Sequence, residues 1–216
     1  MNELNPAQWR KLLRYFVADE ETMRPVMRTP FEQNGYVCAS DTRVLIRVAK
    51  KYITDDYTTD KKTPDVADVI PPSKPLFAIG IENLRAAFVQ RGINYDDLKI
   101  PCYHCDDESE VEWEFTDSDG DKHTMWAECP CCGGSGSIPN GTNHYLEIGE
   151  CTISAYFMLL LYRTMVELGI DKVNVSKGNR QQFLFEIADG IDVLVMPCIL
   201  ANKRVKGITK IKTTKV

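Results

Sequence analysis

Apolar side chains near the N-terminus follow the spacing of a helix with one buried face. They recur every three or four positions, at Trp9, Leu12, Leu13, Phe16 and Val17. Asn5 followed by Pro6 is a residue pair that caps and opens helices. We therefore predict a helix of about three turns, whose opposite face carries Arg10, Lys11 and Arg14.

The pattern then changes to that of strands and a loop. Residues 36–48 are rich in β-branched and apolar side chains and follow the turn signal Asn34-Gly35, so we predict a two-stranded hairpin. The stretch from Tyr52 to Pro75 is polar and contains several prolines. Such a composition predicts a long loop or linker.

The second half of the chain repeats the order of a helix followed by strands. Two helices are predicted over residues 81–90 and 154–168, because Gly92 and Gly169 follow as terminators. Strands are predicted over 145–148, 170–175, 182–187 and 191–198, the last two joined by a turn at Asp189-Gly190. A helix with strands thus occurs near both ends, which predicts a duplicated α+β body.

Composition suggests four parts along the chain. Residues 1–98 would form the first half of the body with its linker and second helix, and residues 99–139 an insertion. Residues 140–201 would form the second half, and residues 202–216 a basic tail. The net charge is −5, yet residues 106–128 alone carry −9, which leaves +4 for the rest. Acid is concentrated in the insertion and base in the tail.

The eight cysteines fit metal binding better than disulfides. The first residues lack the continuous apolar stretch of a signal peptide, and no apolar run is long enough to cross a membrane. We therefore expect a cytoplasmic protein without membrane contact. In a reducing compartment, paired CxxC motifs hold metal more often than they form disulfides.

Two CxxC motifs bracket a predicted hairpin. Alternating apolar and acidic residues run from Glu110 to Phe115, and Asp119-Gly120 turns the chain back. Thiolates in CxxC turns bind zinc in a tetrahedron, so the pattern predicts a zinc ribbon. The predicted ligands of the structural zinc are Cys102, Cys105, Cys129 and Cys132.

Alternatives remain open within these motifs. His104 and Cys131 lie inside them and are alternative ligands, although CxxC spacing favours the outer pairs. The run CPCC is also compatible with thiol-disulfide exchange, which CxxC pairs of low pKa carry out at the start of a helix. Here Gly-Gly-Ser-Gly follows the motif, and this sequence does not favour a helix. The run CPCCGGSG, residues 129–136, resembles one cysteine-rich repeat of J-domain co-chaperones. The J-domain signature HPD is absent from the sequence, so the resemblance does not imply chaperone activity.

Three other stretches resemble bacterial DNA polymerase sliding-clamp domains. GYVCASDTRVLIRV, residues 35–48, is similar to the strand pair that follows the first helix in clamps. LEIGECTISAYFMLLL, residues 146–161, resembles the strand and helix before the last clamp hairpin, and FLFEIADGIDVLVMPCIL, residues 183–200, resembles that hairpin with its methionine-proline ending. The resemblance implies a clamp-like α+β body, into which the zinc ribbon is inserted. The sequence contains no hydrolase or transferase constellation, no phosphate-binding glycine loop and no nucleophile elbow, so we expect no enzymatic activity.

The same resemblance implies partners and sites. Clamps bind DNA with basic helix faces, and the matching cations here are Arg10, Lys11, Arg14, Arg85 and Arg91. Their partner groove borders the methionine-proline ending, which implies a groove at Met196, Pro197 and Leu200. DNA, replication or repair proteins and further copies of the chain would be the partners, since a ring needs several such domains.

Plainer explanations compete with this hypothesis. Three cations on a helix are commonly a solvated face, and the lysine-rich tail is either a nucleic-acid contact or a disordered solubilising segment. The acidic residues of the insertion are read more simply as a solvated edge than as a second metal site. A second hypothesis is an adaptor without DNA binding, whose acidic ribbon docks a basic partner.

Overall fold

The computed structural model describes residues 1–19, 23–59, 62–198 and 208–216. Within these ranges the α-helices are α1 (Pro6–Arg14), α2 (Ile81–Gln90) and α3 (Ala155–Leu168), and short 3-10 helices span Pro25–Met27, Lys50–Tyr52 and Ala67–Val69. The strands are β1 (Phe31–Gln33), β2 (Tyr36–Ser40), β3 (Val44–Ala49), β4 (Phe77–Gly80), β5 (Lys99–Pro101), β6 (Glu110–Thr116), β7 (Lys122–Glu128), β8 (Ser137–Pro139), β9 (Tyr145–Ile148), β10 (Cys151–Ser154), β11 (Lys172–Lys177), β12 (Phe183–Ala188), β13 (Ile191–Val195), β14 (Thr209–Lys210) and β15 (Thr214–Lys215).

Local signals place the helix ends where the sequence predicts them. The Asn5 side chain accepts from the Gln8 backbone N–H, and the Gln8 side chain accepts from that of Asn5, which is a capping box. Gly169 ends α3 with φ of 63°, a left-handed conformation that glycine adopts without a steric penalty. All three predicted helices are confirmed.

The body is one antiparallel sheet built from two similar halves. The strand order is β1-β2-β3-β13-β12-β11-β4-β15. Two three-stranded meanders, β1 to β3 and β11 to β13, meet through their last strands, where Ile46 lies opposite Val193. Each meander follows a helix, α1 or α3, in the chain. The predicted duplicated α+β body is confirmed.

The three helices cover the same face of this sheet. Alternate strand residues such as Val37, Ile46 and Phe185 point into a core that also contains Leu13 of α1 and Leu160 of α3, all at most 1% exposed. Burying such side chains contributes about 1.5–3 kcal/mol each relative to leaving them exposed. The body therefore has a core of its own, independent of the metal-binding motifs.

A smaller apolar cluster lies on the opposite face of the sheet. Leu45, Leu184 and Leu194 pack there with Met27 and Phe31. Part of the stretch predicted as a linker packs on this cluster, through Val66, Val69 and Ile70. The linker prediction is right about its irregular backbone, but part of the segment packs onto the sheet.

The described end of the chain corrects the expectation of a disordered tail. β14 pairs with β9 and β15 with β4, and Ile211 between them is only 2% exposed. Lys210 lies 3.5 Å from Glu147. Residues 208–216 are thus held against the body, whereas Lys203, Arg204 and Lys206 lie outside the described residues.

The four-part division of the chain stays a prediction. In the described ranges, no helix is long and apolar enough to cross a membrane.

Candidate functional site

Four cysteine sulfurs converge at the base of the hairpin formed by β6 and β7. The Sγ atoms of Cys102, Cys105, Cys129 and Cys132 all lie within 4.8 Å of one another. The distances from Cys102 to Cys129 and from Cys105 to Cys132 are both 3.8 Å. The structure thus brings together the four cysteines that the spacing predicts as ligands.

This arrangement fits a tetrahedral metal ion. Four sulfurs at about 2.3 Å from one zinc ion would lie about 3.8 Å apart, close to the separations in the structure. Cys102 and Cys129 are fully buried, and Cys105 is 7% exposed. Desolvation raises the pKa of the Cys105 thiol to about 12, a cost that coordination of the thiolate by a cation would offset. At Cys132 desolvation acts in the same direction, but hydrogen bonds from the Gly136 N–H and the other three thiols outweigh it and lower the pKa to about 7. The donor set is therefore that of a closed structural metal site.

The backbone of both motifs is shaped to aim the sulfurs inward. Cys129 O accepts from the Gly133 N–H at 2.8 Å, and Cys105 O accepts from the Glu108 N–H at 2.9 Å. Gly136 has φ of 69°, and a Cβ atom there would lie 2.6 Å from Asp107 O. Only glycine fits this close approach of the two motifs.

A short strand pair closes the base of the insertion, and one asparagine beside it contacts the body. β5 pairs with β8, with Ile100 opposite Ile138. Asn140 is 3% exposed and its side-chain N–H groups donate to Asn94 O and to Asp97 O, the latter at 2.7 Å. Sequence reasoning missed Asn140 as an anchor, although Asn140-Gly141 was recognisable as a turn signal.

The alternative ligands and the redox hypothesis gain no geometric support. Within the described residues the converging group contains neither His104 nor Cys131. Residues 130–136 form turns and bends, so the helix start that lowers thiol pKa in redox CxxC motifs is missing there. Outside the two motifs, Cys38 is fully buried, and burial raises the pKa of its thiol to about 12.

The tip of the hairpin is ordered by Asp117. Its Oδ1 accepts from the N–H groups of Asp119 and Asp121, and its Oδ2 lies 2.7 Å from His123 Nε2. The hydrogen bond with His123 lowers the pKa of the Asp117 carboxyl, followed by that from the Asp121 N–H. Sequence reasoning treated this carboxylate as part of a solvated edge and missed its role in the turn.

The five predicted DNA-binding cations are not equivalent. Lys11 and Arg14 are exposed on α1, while Arg10 forms an ion pair with Asp55 at 2.9 Å. Arg85 donates to the Tyr162 hydroxyl at 2.9 Å and pairs with Glu82. Arg91 is partly buried at the end of α2. On α3, the side chain of Arg163 donates to Asp96 O.

One of the three predicted groove residues, Met196, lies beside a depression in the surface. Met196 lines a cavity of about 270 Å³ on the sheet face opposite the helices, together with Leu45 and Leu194. Arg24, Arg43 and Arg180 also line it. Pro197 follows Met196 and is partly buried, and Leu200 lies outside the described residues.

Comparison with known proteins finds similarity in structure only. No family model matches the chain, and no curated protein matches it in sequence. Among similar solved structures, the DNA polymerase sliding clamp from Bacillus subtilis is 13% identical with a TM-score of 0.47, over 91% of this chain and 63% of that one. DNA polymerase III subunit beta from Borrelia burgdorferi is 10% identical with a TM-score of 0.49, over 89% of this chain and 62% of that one.

The chain therefore spans 63% of the length of the Bacillus clamp. These solved neighbours are sliding clamps, and the J-domain resemblance of the second cysteine motif stays a prediction. The TM-scores lie below 0.5, so any function of this chain has to be argued from its own residues.

Proposed function

We propose that this protein is a non-enzymatic, clamp-like accessory factor of DNA replication or repair that binds DNA and protein partners. The observation that carries the proposal is the outward face of α1. It presents Arg10, Lys11 and Arg14, and α1 contains no acidic residue. Cations on a rigid helix contact phosphates without reading sequence. Such a function places the protein in the cytoplasm, where it would meet DNA.

The metal in the four-cysteine site is proposed to be zinc. Four thiolates in a buried tetrahedron match the preference of this ion in structural sites. With all four positions taken by protein ligands, no open position is left for catalysis. The proposed role of the zinc is to fold the insertion and hold its hairpin away from the body.

Protein partners are proposed to use the cavity beside Met196. Its apolar residues Leu45, Leu194 and Met196 would accept apolar side chains, and the exposed Arg180 beside them would accept an acidic one. Pro197 and Leu200 are proposed to complete the groove. Because the chain holds a single clamp-like body, encircling DNA would require several copies.

The DNA-binding proposal predicts a salt-dependent affinity that depends on α1. In fluorescence anisotropy with a labelled DNA duplex, Lys11→Glu/Arg14→Glu is expected to weaken binding at low salt and to reduce the slope of log affinity against log salt by about 2. The matched control is Lys74→Glu/Lys172→Glu, the same charge change at two exposed positions near β4 and β11, several strands away from the strand β2 that α1 contacts.

Two results would contradict this function. One is equal loss of affinity in the α1 variant and its control. The other is a strictly monomeric protein in analytical ultracentrifugation that shows no salt-dependent DNA binding at low ionic strength.

A second candidate function is a protein-interaction adaptor that does not bind DNA. It is favoured by the ion pairs that already engage Arg10 and Arg85 within the chain, and by the −9 charge of residues 106–128. On this view the ribbon docks a basic partner. Reversing the charges of Glu110, Glu112 and Glu114 would then abolish partner binding and leave any DNA binding intact.

A further inference from the structure

The strand register of the hairpin separates its side chains onto two chemically different faces. Residues directly opposite in an antiparallel pair point to the same side. The pairs on one side are Val111 with Ala127, Trp113 with Met125, and Phe115 with His123. We call these six residues the ladder face. The other side carries Glu110, Glu112, Glu114 and Glu128, which we call the carboxylate face, together with Trp126.

The ladder face is apolar and open to solvent. Trp113 is 46% exposed, Phe115 48% and Met125 52%. In the described chain β6 and β7 form a sheet of two strands, to which no third strand is added. Adjacent exposed aromatic and aliphatic side chains of this size mark interaction sites when they lie on an ordered element.

The ladder face is also held in place at both of its ends. Val111 packs against the cluster of Cys102, Cys105 and Cys129 at the base. At the tip, the ring of Phe115 stacks on that of His123 with centroids 5.4 Å apart, and His123 is hydrogen-bonded to Asp117. A surface ordered before binding loses little conformational entropy when a partner docks.

The charge around the ladder face selects the kind of partner. Residues 106–128 carry a formal charge of −9, which repels nucleic acid, anionic lipid and the same hairpin of a second copy. A cationic partner is attracted by the same field. Lysine and arginine side chains also pack favourably over the rings of Trp and Phe.

We propose that the ladder face is a docking surface for a cationic protein segment that also carries apolar side chains. This inference rests on the adaptor function and adds to it the face that is used and the chemistry of the partner. The apolar side chains of the segment cover Trp113, Phe115 and Met125. Its cations are held by the field of the neighbouring carboxylates.

The test uses the full-length, zinc-loaded protein and a short fluorescein-labelled peptide in which lysine and leucine alternate. Trp113→Ser is expected to weaken binding about tenfold, because a central aromatic anchor is removed. The matched control is Trp126→Ser on the carboxylate face, where Trp126 is 61% exposed, and this variant is expected to bind within about twofold of the original protein. Native mass spectrometry of each variant confirms that the zinc is retained.

A second peptide, with serine in place of leucine, is expected to bind at least about tenfold more weakly. The inference is overturned by equal binding of the two peptides, by equal losses in the two tryptophan variants, or by no binding of the first peptide. If Glu110→Lys/Glu112→Lys/Glu114→Lys abolishes binding while Trp113→Ser leaves it unchanged, the adaptor function stands and the ladder face is excluded. If neither change matters, both fail.

Discussion

Replacing Cys129 by serine is expected to unfold the insertion and leave the body folded. The insertion has little other core, since the buried side chains clustered around the site are Cys102, Cys105, Cys129 and Ile138. Structural zinc sites in small domains contribute roughly 10–16 kcal/mol of apparent binding free energy, so the loss of one thiolate removes most of what folds this segment. Limited proteolysis should then cut between residues 99 and 139 first.

The matched control for this variant is Cys131→Ser. Cys131 lies between two predicted ligands, but the converging group of the described structure does not include it. This control is expected to keep its zinc and its resistance to protease. Collapse of the whole chain in Cys129→Ser, or loss of metal in Cys131→Ser, would contradict the assignment.

Replacing Phe185 by alanine is expected to have the reciprocal effect. Phe185 is fully buried in the middle of the sheet, within the core that the helices cover. Phenylalanine-to-alanine changes in such cores cost about 3–5 kcal/mol, which is a large part of the stability of a typical domain. The urea midpoint of the body should fall strongly while the zinc content stays unchanged.

The three tryptophans allow the two regions to be followed separately. Trp9 is buried in the body core, whereas Trp113 and Trp126 lie on the hairpin. In a Trp113→Phe/Trp126→Phe background, Trp9 emission reports only the body. Val89→Ala, at a position 66% exposed, is the control and should shift the midpoint very little. Loss of zinc in Phe185→Ala would show that the two regions fold as one.

Local features of the fold could be predicted because they depend on a few neighbouring residues. Gly92 and Gly169 mark the ends of α2 and α3, where they adopt φ of 68° and 63°. The CxxC spacing likewise brings together each pair of thiols, and the alternation of Trp113 and Phe115 with glutamates revealed the hairpin. Each of these signals operates over a few residues of chain.

The alternation of apolar and polar residues could not predict contacts between distant parts of the chain. Arg47 pairs with Asp192, which is 145 residues away in the chain, where β3 lies beside β13. Alternation predicts that a strand buries one face, but not which strand lies next to it. The spacing within α1 predicts its basic face. It does not predict that Arg10 pairs with Asp55, because Asp55 lies 45 residues further along the chain.

The C-terminal strands were missed for a different reason. The lysines of residues 208–216 suggested a solvated tail, yet Thr209 and Ile211 alternate with Lys210 and Lys212 and are buried. That alternation is the signal of a half-buried strand. It was too short to stand out against the basic composition.

The zinc-held insertion is the central claim, and native mass spectrometry with and without chelator tests it most directly. We predict one zinc ion per chain, its loss on chelation, and no zinc on Cys129→Ser. After chelation the body should stay compact while the charge-state distribution shows that part of the chain has unfolded. A chain that carries no metal, or a Cys129→Ser variant that still binds zinc, would contradict the account.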